Sequence, residues 1–213
     1  VGIKLRERGY ILDVRRPVVG EKLPENMDEH DLAVIYGGPP SANDDLDYIK
    51  YEIDWISKVL ESNKPFLGIC LGAQMLAKNL GGSVQKSHDL TLEIGFFDIN
   101  PTGDGHKMFQ SQKKFFQWHR EGFTVPKSCE ILANGDLFRE QAFRYNNALA
   151  IQFHPEVNLK MHLRWLYYAG YMLKEKGAQN RREQLTHRLK HGKKINLWLD
   201  SFLDNYLLKD INT

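Results

Sequence analysis

A cysteine stands where an apolar segment meets an amphipathic one, in the stretch Gly68-Ile69-Cys70-Leu71-Gly72-Ala73-Gln74. The apolar run over residues 66–69 predicts a short strand, and the run over residues 71–80 predicts a helix. A side chain at such a sharp strand-to-helix turn projects out of the sheet, and the neighbouring glycines favour the turn because they carry no Cβ atom. Cys70 is therefore a candidate nucleophile.

The position of Cys70 also favours a reactive thiolate. Cys70 would precede the first turn of the predicted helix, where the helix dipole stabilises negative charge. The backbone N–H of Leu71 would point toward the oxyanion that forms at an attacked carbonyl group. The alternative is a structural cysteine, because free cysteines are often buried among small residues. Taken alone, the motif leaves both interpretations open.

A histidine and a glutamate two residues apart supply a base and its orienting group, in Phe153-His154-Pro155-Glu156. Pro155 biases His154 toward an extended backbone, in which alternate side chains project to the same side. Glu156 could then fix the tautomer of His154. His154 would act as a base toward Cys70 and as an acid toward the leaving amine. The alternative is a histidine at the end of a strand that makes ordinary hydrogen bonds.

These motifs together resemble those of the class I, or triad-type, glutamine amidotransferases. Residues 68–74 resemble the nucleophile motif of that family, residues 153–156 resemble its second motif, and Gly37-Gly38-Pro39 resembles its oxyanion loop. Within the family, residues 93–95 and 118–121 are most similar to stand-alone GMP synthase-like amidotransferase domains. The resemblance extends from the first residues to the C-terminal helices.

The resemblance implies a catalytic triad of Cys70, His154 and Glu156. In that family Cys70 would attack the side-chain amide of L-glutamine, while His154, oriented by Glu156, shuttles the proton. Ammonia leaves, and water then cleaves the glutamyl thioester. The resemblance assigns the oxyanion hole to the backbone N–H groups of Gly38 and Leu71.

The resemblance also implies a set of substrate-binding residues. Gln74 lies one helical turn after Cys70 and would help to hold the glutamine. His119 and Arg120 align with the segment that binds the α-amino and α-carboxylate groups, although several relatives have glycine where this sequence has Arg120. The resemblance implies no cofactor, and no Cys/His cluster has the spacing of zinc ligands.

The elements that must position these residues alternate between short apolar runs and amphipathic stretches. Residues 10–14, 32–36 and 66–69 are typical of strands, whereas residues 49–60 and 71–80 are typical of helices. This alternation predicts a three-layer α/β fold with a mostly parallel central sheet flanked by helices. Residues 94–153 contain strands without intervening helices, which predicts an antiparallel extension, and Asn146-Asn147 predicts a hairpin turn. The resemblance implies the class I glutamine amidotransferase-like variant of the flavodoxin-like architecture.

The organisation of the chain predicts a single glutamine amidotransferase domain over residues 1–213, because no linker, repeat or low-complexity tract interrupts it. The chain opens inside what resembles the first helix of the family, so we expect a first core strand before Val1 in the full protein. Residues 178–213 are predicted to form a C-terminal helical extension. Its residues Trp198, Phe202 and Tyr206 mark an apolar face that favours packing against the core.

The composition excludes several classes of function. The 213 residues are 42% hydrophobic and 26% charged, which is ordinary for a soluble globular protein. A net charge of +2 gives no electrostatic reason to expect a nucleic-acid partner. No apolar run approaches the roughly 18 residues needed to span a membrane. Two cysteines and no signal peptide favour a reducing, cytoplasmic setting.

Three functions remain open from the sequence. The first is a glutamine amidotransferase or glutaminase that supplies ammonia to an unknown acceptor. The chain has no Ser-Gly-Gly-x-Asp-Ser pyrophosphatase loop, so this function needs a synthase or synthetase partner subunit. The second is a γ-glutamyl peptide hydrolase with the same triad. The third is a non-enzymatic binding module, which an intact set of Cys70, His154 and Glu156 disfavours.

Overall fold

The computed structural model describes residues 1–209 and 211. The α-helices of this part of the chain are α1 (Gly2–Glu7), α2 (Asp47–Glu61), α3 (Leu71–Asn79), α4 (Gly105–Met108), α5 (Leu159–Tyr168) and α6 (Arg181–Phe202). Its strands are β1 (Ala33–Ile35), β2 (Phe66–Ile69), β3 (Ser83–Lys86), β4 (Glu93–Asp98), β5 (Asn100–Pro101), β6 (Lys114–His119), β7 (Glu121–Thr124), β8 (Glu130–Asn134), β9 (Glu140–Tyr145) and β10 (Ala148–Ile151). Short 3-10 turns lie at Pro17–Val19 and Gly170–Lys174, and a π-helical turn follows α6 at Leu203–Leu207.

The central sheet has the strand order β1-β2-β10-β9-β7-β3, and β8 joins it through β9 and carries β5. Strand β2 pairs in parallel with both β1 and β10. The pairs β10–β9, β9–β7 and β7–β3 are antiparallel. Strands β4 and β6 form a separate antiparallel pair. The predicted α/β fold is confirmed: the parallel part of the central sheet is β1, β2 and β10, and its remaining strands β9, β8, β7, β5 and β3 form the antiparallel extension.

The parallel strands carry the candidate motifs at their carboxyl ends. Gly37 and Gly38 follow β1, Cys70 follows β2, and His154 follows β10. Parallel neighbours end at the same edge of a sheet, which is where open α/β proteins bind their ligands. Three segments that are far apart in the sequence therefore meet at one edge.

Alternate side chains of the central strands face two different cores. In β10, Leu149 and Ile151 pack in the core that contains the apolar side of α6. Ala148 and Ala150 pack in the core that contains the apolar sides of α2 and α3. This alternation follows from the two-residue period of a strand. It places helices on both faces of the sheet, which gives the three layers predicted from the sequence.

The hairpin predicted at Asn146-Asn147 is confirmed. These two residues connect β9 to β10, with Tyr145 opposite Ala148 in the antiparallel register. Asn146 has a φ of 49°, a left-handed conformation that asparagine adopts more readily than most residues. The short connection sets the register that brings β10 beside β2.

The strand predicted over residues 10–14 is wrong. These residues belong to no strand among the described elements, and the β1 ladder runs to β2 alone. Tyr10 and Leu12 pack against the core, whereas Ile11 is 98% exposed. An extended segment that packs by one side produces the same alternating pattern as a strand, because burial alone sets the pattern and no ladder partner is required.

The apolar face predicted in the C-terminal extension packs inside the core. Trp198 and Phe202 of α6 are buried. The ring of Trp198 stacks on Phe109 at 5.5 Å between centroids, and its Nε1–H donates to the backbone oxygen of Met108 at 2.8 Å. The helix begins at a capping box, in which Asn180 and the third helical residue satisfy each other's backbone N–H groups. Over the described residues, no helix combines the length and the apolar character needed to cross a bilayer.

Candidate active site

Cys70 occupies the sharp turn between β2 and α3. Its backbone has a φ of 52° and a ψ of −105°, a conformation that residues with a Cβ atom rarely adopt. Its N–H donates to the oxygen of Ile151 at 2.8 Å, and its own oxygen accepts from the N–H of Gln74 at 3.0 Å. Hydrogen bonds to β10 and to the first turn of α3 therefore hold the strained nucleophile position.

Two glycines allow this turn to pack tightly. A Cβ atom on Gly68 would lie 2.6 Å from the backbone oxygen of Gly72. A Cβ atom on Gly72 would lie 2.2 Å from the backbone oxygen of Ile35. Both distances are shorter than van der Waals contact permits, so the start of α3 rests directly on β1 only because both positions are glycine.

His154 and Glu156 form the pair that the sequence predicted. Nδ1 of His154 lies 2.8 Å from Oε1 of Glu156, and both side chains are largely buried. The imidazole lies beside Cys70, because a Cβ atom on Gly37 would lie 2.7 Å from Cε1 of His154 and 3.2 Å from Cβ of Cys70. The backbone N–H of His154 donates to the backbone oxygen of Phe116 at 2.8 Å. The imidazole ring of His154 lies edge-on to Trp165, with centroids 5.0 Å apart. These contacts fix the orientation of the imidazole.

Charge governs the protonation of His154. Burial by itself lowers the pKa of His154, because a buried site disfavours the imidazolium. The charges of Cys70 and Glu156, together with hydrogen bonds to both side chains, outweigh burial and raise the pKa of His154 to about 10. The imidazole is therefore protonated at neutral pH and can act as a proton donor.

The two residues predicted to form an oxyanion hole, Gly38 and Leu71, are neighbours in the structure. The N–H of Leu71 is the first of α3, and such groups have no carbonyl partner within the helix. A Cβ atom on Gly38 would lie 3.3 Å from Cδ2 of Leu71. Both residues line the cleft that contains Cys70. The geometry thus places two backbone segments with candidate donors in the same cleft as Cys70.

The predicted substrate-binding residues also line this cleft, but their surroundings differ. Gln74 is buried, and its Nε2 donates to the backbone oxygen of Glu121 at 2.9 Å. Arg120 is exposed at the rim, where its guanidinium donates to the backbone oxygen of Pro39 at 3.4 Å. Arg120 therefore connects the segment after β6 to the loop after β1.

His119 belongs to a buried polar network below the cleft. Its Nδ1 lies 2.9 Å from the backbone oxygen of Glu121, and its Nε2 lies 3.1 Å from both Oε1 of Gln117 and Oε2 of Glu93. The amide of Gln141 joins this network through hydrogen bonds to Gln117 and Glu93. These contacts hold the imidazole of His119 in a fixed orientation under the substrate cleft.

Gln152 contacts Cys70, although the sequence patterns did not single it out. It is fully buried, and its Nε2 donates to Sγ of Cys70 at 3.5 Å. Its Oε1 accepts from Nε2 of Gln74 at 3.2 Å. Buried polar side chains need partners, so a glutamine directly before Phe153-His154 at the end of an apolar strand was the signal that could have identified it.

The cleft above Cys70 has a volume of about 450 Å³. Its walls come from the loop after β1, the end of β6, and α5 with the turn that follows it.

Among residues 1–209 and 211, no group of three or more His, Cys, Asp or Glu side chains is arranged to hold a metal ion. Cys70 and Cys129 are both free thiols. The arrangement is suited to attack by a thiolate on a carbonyl group, with an acid beside the leaving atom.

Comparisons with known proteins identify the family of this chain. The model of the class I glutamine amidotransferase family matches residues 4–169, which is more than half of the chain. A crystal structure of a glutamine amidotransferase from Thermotoga maritima superimposes with a TM-score of 0.86 at 30% identity, covering 97% of this chain and 90% of that one.

Two curated proteins are similar over most of the chain. A subunit of the glutamine-hydrolysing GMP synthase of Sulfurisphaera tokodaii is 32% identical over 145 residues, which are 66% of this chain and 74% of that protein. Gamma-glutamyl peptidase 4 of Arabidopsis thaliana is 30% identical over 164 residues, which are 72% of this chain and 65% of that protein. With its family model, fold and relatives in agreement, the chain belongs to the class I glutamine amidotransferase family.

Proposed function

We propose that this protein is an enzyme that cleaves the side-chain amide of L-glutamine through a thioester on Cys70. The observation that carries the proposal is the buried pair of His154 and Glu156, with Nδ1 2.8 Å from Oε1, next to the side chain of Cys70 at the turn after β2. A thiol, a base and an orienting carboxylate in hydrogen-bond contact are the requirements for nucleophilic catalysis at an amide.

The proposed reaction has two halves. Sγ of Cys70 bonds to the γ-carbonyl carbon, and the backbone N–H groups of Gly38 and Leu71 stabilise the oxyanion. The carbon–nitrogen bond then breaks, and ammonia leaves with a proton from His154. Water, deprotonated by His154, attacks the thioester, which releases glutamate and restores the thiol.

Three residues are proposed to hold the glutamine. Nε2 of Gln74 is already bonded to Glu121 and Gln152, so its Oε1 is the atom that remains to accept from the α-amino group of the substrate. Arg120 lies at the rim with its guanidinium exposed, where it can pair with the α-carboxylate. His119 orients the floor of the cleft through its buried network.

The proposed role of the released ammonia requires a partner. These 213 residues contain no pyrophosphatase loop that could activate an acceptor, so a synthase or synthetase activity outside them would do so. The similarity to a protein named as one subunit of a GMP synthase supports such an arrangement. The proposed compartment is the cytoplasm, because a nucleophilic Cys70 must stay reduced.

A second candidate is hydrolysis of γ-glutamyl peptides by the same triad. The chemistry at Cys70 would be unchanged, and only the leaving amine would differ. The cleft of about 450 Å³ and the similarity to a protein named gamma-glutamyl peptidase 4 favour this candidate. Pockets of about 300–1,000 Å³ typically hold drug-sized ligands, which are larger than glutamine.

The test compares two cysteine variants. Release of ammonia or amine is measured with L-glutamine and γ-glutamyl dipeptides for the wild type, Cys70→Ala and Cys129→Ala. Cys129 is the other free, buried cysteine, so its variant controls for loss of a buried thiol. We expect release to disappear only in Cys70→Ala, and mass spectrometry to detect a glutamyl adduct on Cys70 after acid quenching. Equal release by all three proteins would refute the proposal.

A further inference from the structure

The cleft continues past Cys70 along one side that the proposed glutaminase reaction does not use. This side, called here the α5 wall, comes from the second half of α5 and the turn after it. It consists of Arg164, Trp165, Tyr168, Tyr171 and Met172, all of which line the same cleft as Cys70. Tyr168 and Tyr171 are 68% and 71% exposed, so the wall presents aromatic side chains to solvent at the mouth.

The leaving group must depart toward this wall. His154 is the proposed proton donor to the leaving nitrogen, so the nitrogen lies beside the His154 ring when the amide bond breaks. That ring is edge-on to Trp165, with 5.0 Å between the centroids. Trp165 is itself held by an edge contact with Trp118 at 5.8 Å. A substituent on the leaving nitrogen would therefore emerge against Trp165 and continue toward Tyr168.

The chemistry of the wall matches a leaving amine that carries an aromatic side chain and a carboxylate, as an aromatic amino acid does. Trp165, Tyr168 and Tyr171 offer ring faces and edges for stacking. The guanidinium of Arg164 lies 5.7 Å from the centre of the Tyr168 ring. Within residues 1–209 and 211, no carboxylate forms an ion pair with Arg164, so its bidentate donor group is available to a ligand.

We propose that the α5 wall is a subsite for the leaving amine of γ-glutamyl amides whose amine carries a large apolar or aromatic side chain and a carboxylate. The inference rests on the proposed function, because it assumes the thioester on Cys70. Sγ bonds to the γ-carbonyl carbon, the carbon–nitrogen bond breaks, and the amine takes its proton from His154. Water then hydrolyses the thioester to glutamate. Ammonia, as a leaving group, would make none of the contacts that the wall offers.

The test uses four substrates with the purified protein: L-glutamine, γ-L-glutamylglycine, γ-L-glutamyl-L-phenylalanine and γ-L-glutamyl-L-phenylalaninamide. We expect kcat/KM for the phenylalanine dipeptide to exceed that for the glycine dipeptide about tenfold, from aromatic contacts with the wall. Converting the carboxylate of this dipeptide to the amide removes its ion pair with Arg164. Because an exposed ion pair contributes little, kcat/KM should fall only about threefold.

Two variants locate these preferences. Tyr168→Ala should remove most of the advantage of phenylalanine over glycine and leave glutamine hydrolysis unchanged. Arg164→Gln should remove the difference in kcat/KM between γ-L-glutamyl-L-phenylalanine and γ-L-glutamyl-L-phenylalaninamide. The matched controls are Leu163→Ala and Arg182→Gln, which should keep both preferences. Leu163 is on the same helix but outside the cleft, and Arg182 is exposed on α6. Circular dichroism confirms that each variant is folded.

The outcomes separate the two proposals. If the glycine and phenylalanine dipeptides are cleaved equally while Cys70-dependent glutamine hydrolysis persists, the subsite is refuted and the proposed function stands. If Tyr168→Ala keeps the full preference for phenylalanine, the wall is likewise refuted. If no γ-glutamyl compound is cleaved in a Cys70-dependent manner, the proposed function fails and the subsite fails with it.

Discussion

The side-chain amide of Gln152 donates to the sulfur of Cys70, with Nε2 3.5 Å from Sγ. Its orientation is set from the other end, because Oε1 accepts from Nε2 of Gln74 at 3.2 Å. Both glutamines are buried, so the donor cannot exchange with water. The sulfur of Cys70 therefore has a buried hydrogen-bond donor whose orientation is fixed by Gln74.

Replacing Gln152 should weaken the nucleophile. A hydrogen bond to a charged group contributes about 1.5–3 kcal/mol, so Gln152→Leu should lower kcat/KM for glutamine by about 10- to 100-fold. Gln112→Leu removes another buried amide outside the cleft and should have little effect on activity. An unchanged kcat/KM in Gln152→Leu would contradict this role.

The charge of Glu156 should set the alkaline limit of activity. The pKa of His154 is raised to about 10 by Cys70 and Glu156 against the effect of burial. In Glu156→Gln the pKa of His154 should fall, because one of the two negative charges is gone. The alkaline limb of the kcat/KM profile should then move to lower pH, and the maximum rate should drop. Glu61→Gln, exposed at the end of α2, is the control.

The same pKa shift affects stability with a defined sign. A raised pKa of His154 means that its protonation stabilises the fold fully below its ordinary pKa of about 6.5. This contribution declines at higher pH and is lost as the pH passes about 10. In Glu156→Gln the loss should occur at lower pH. Denaturant midpoints measured across this range test the sign, and a wild-type midpoint that rises with alkaline pH would contradict it.

The two glycines after β1 should tolerate alanine differently. A Cβ atom on Gly37 would lie 2.7 Å from Cε1 of His154, whose ring is held by Glu156 and Trp165. Gly37→Ala should therefore displace the imidazole and lower kcat about 100-fold, as misplacement near 1 Å can do. At Gly38 the nearest atom is the mobile Cδ2 of Leu71 at 3.3 Å, so the loss should be much smaller. Equal losses would show that the His154 contact is not the cause.

The C-terminal extension should be needed for the stability of the catalytic core. Trp198 stacks on Phe109 and contacts Phe115 edge-on, with centroids 5.5 Å and 4.7 Å apart. Trp198→Ala should destabilise the protein by about 3–5 kcal/mol. Leu197→Ala, at a neighbouring position that is 58% exposed, should change stability by about 0.5 kcal/mol or less.

One unfolding experiment also tests the proposal that residues 1–213 form one domain. Circular dichroism and glutaminase activity should be lost at the same denaturant concentration in the wild type, and both should shift together in Trp198→Ala. Activity that survives the loss of α6 would show that the extension folds independently.

The candidate triad could be predicted because its parts are local. A strand-to-helix turn between glycines indicates a candidate nucleophile at Cys70, and the Pro155 bias places His154 and Glu156 on one side of an extended chain. The hairpin at Asn146-Asn147 and the buried face of α6 were predicted for the same reason. Turn chemistry and side-chain periodicity depend on a few neighbouring residues, and the sequence by itself determined these features.

Contacts between distant segments were decided only by the tertiary structure. Gln152 reaches Cys70, and Trp165 reaches His154, because β10 lies beside β2 and α5 returns over the strand ends. The same limit explains the wrong strand at residues 10–14, where the pattern indicated one-sided burial but not the missing ladder partner. Strand order and helix placement are set by packing across the whole chain, so a pattern read along the chain determines which side a residue faces but not which residue it meets.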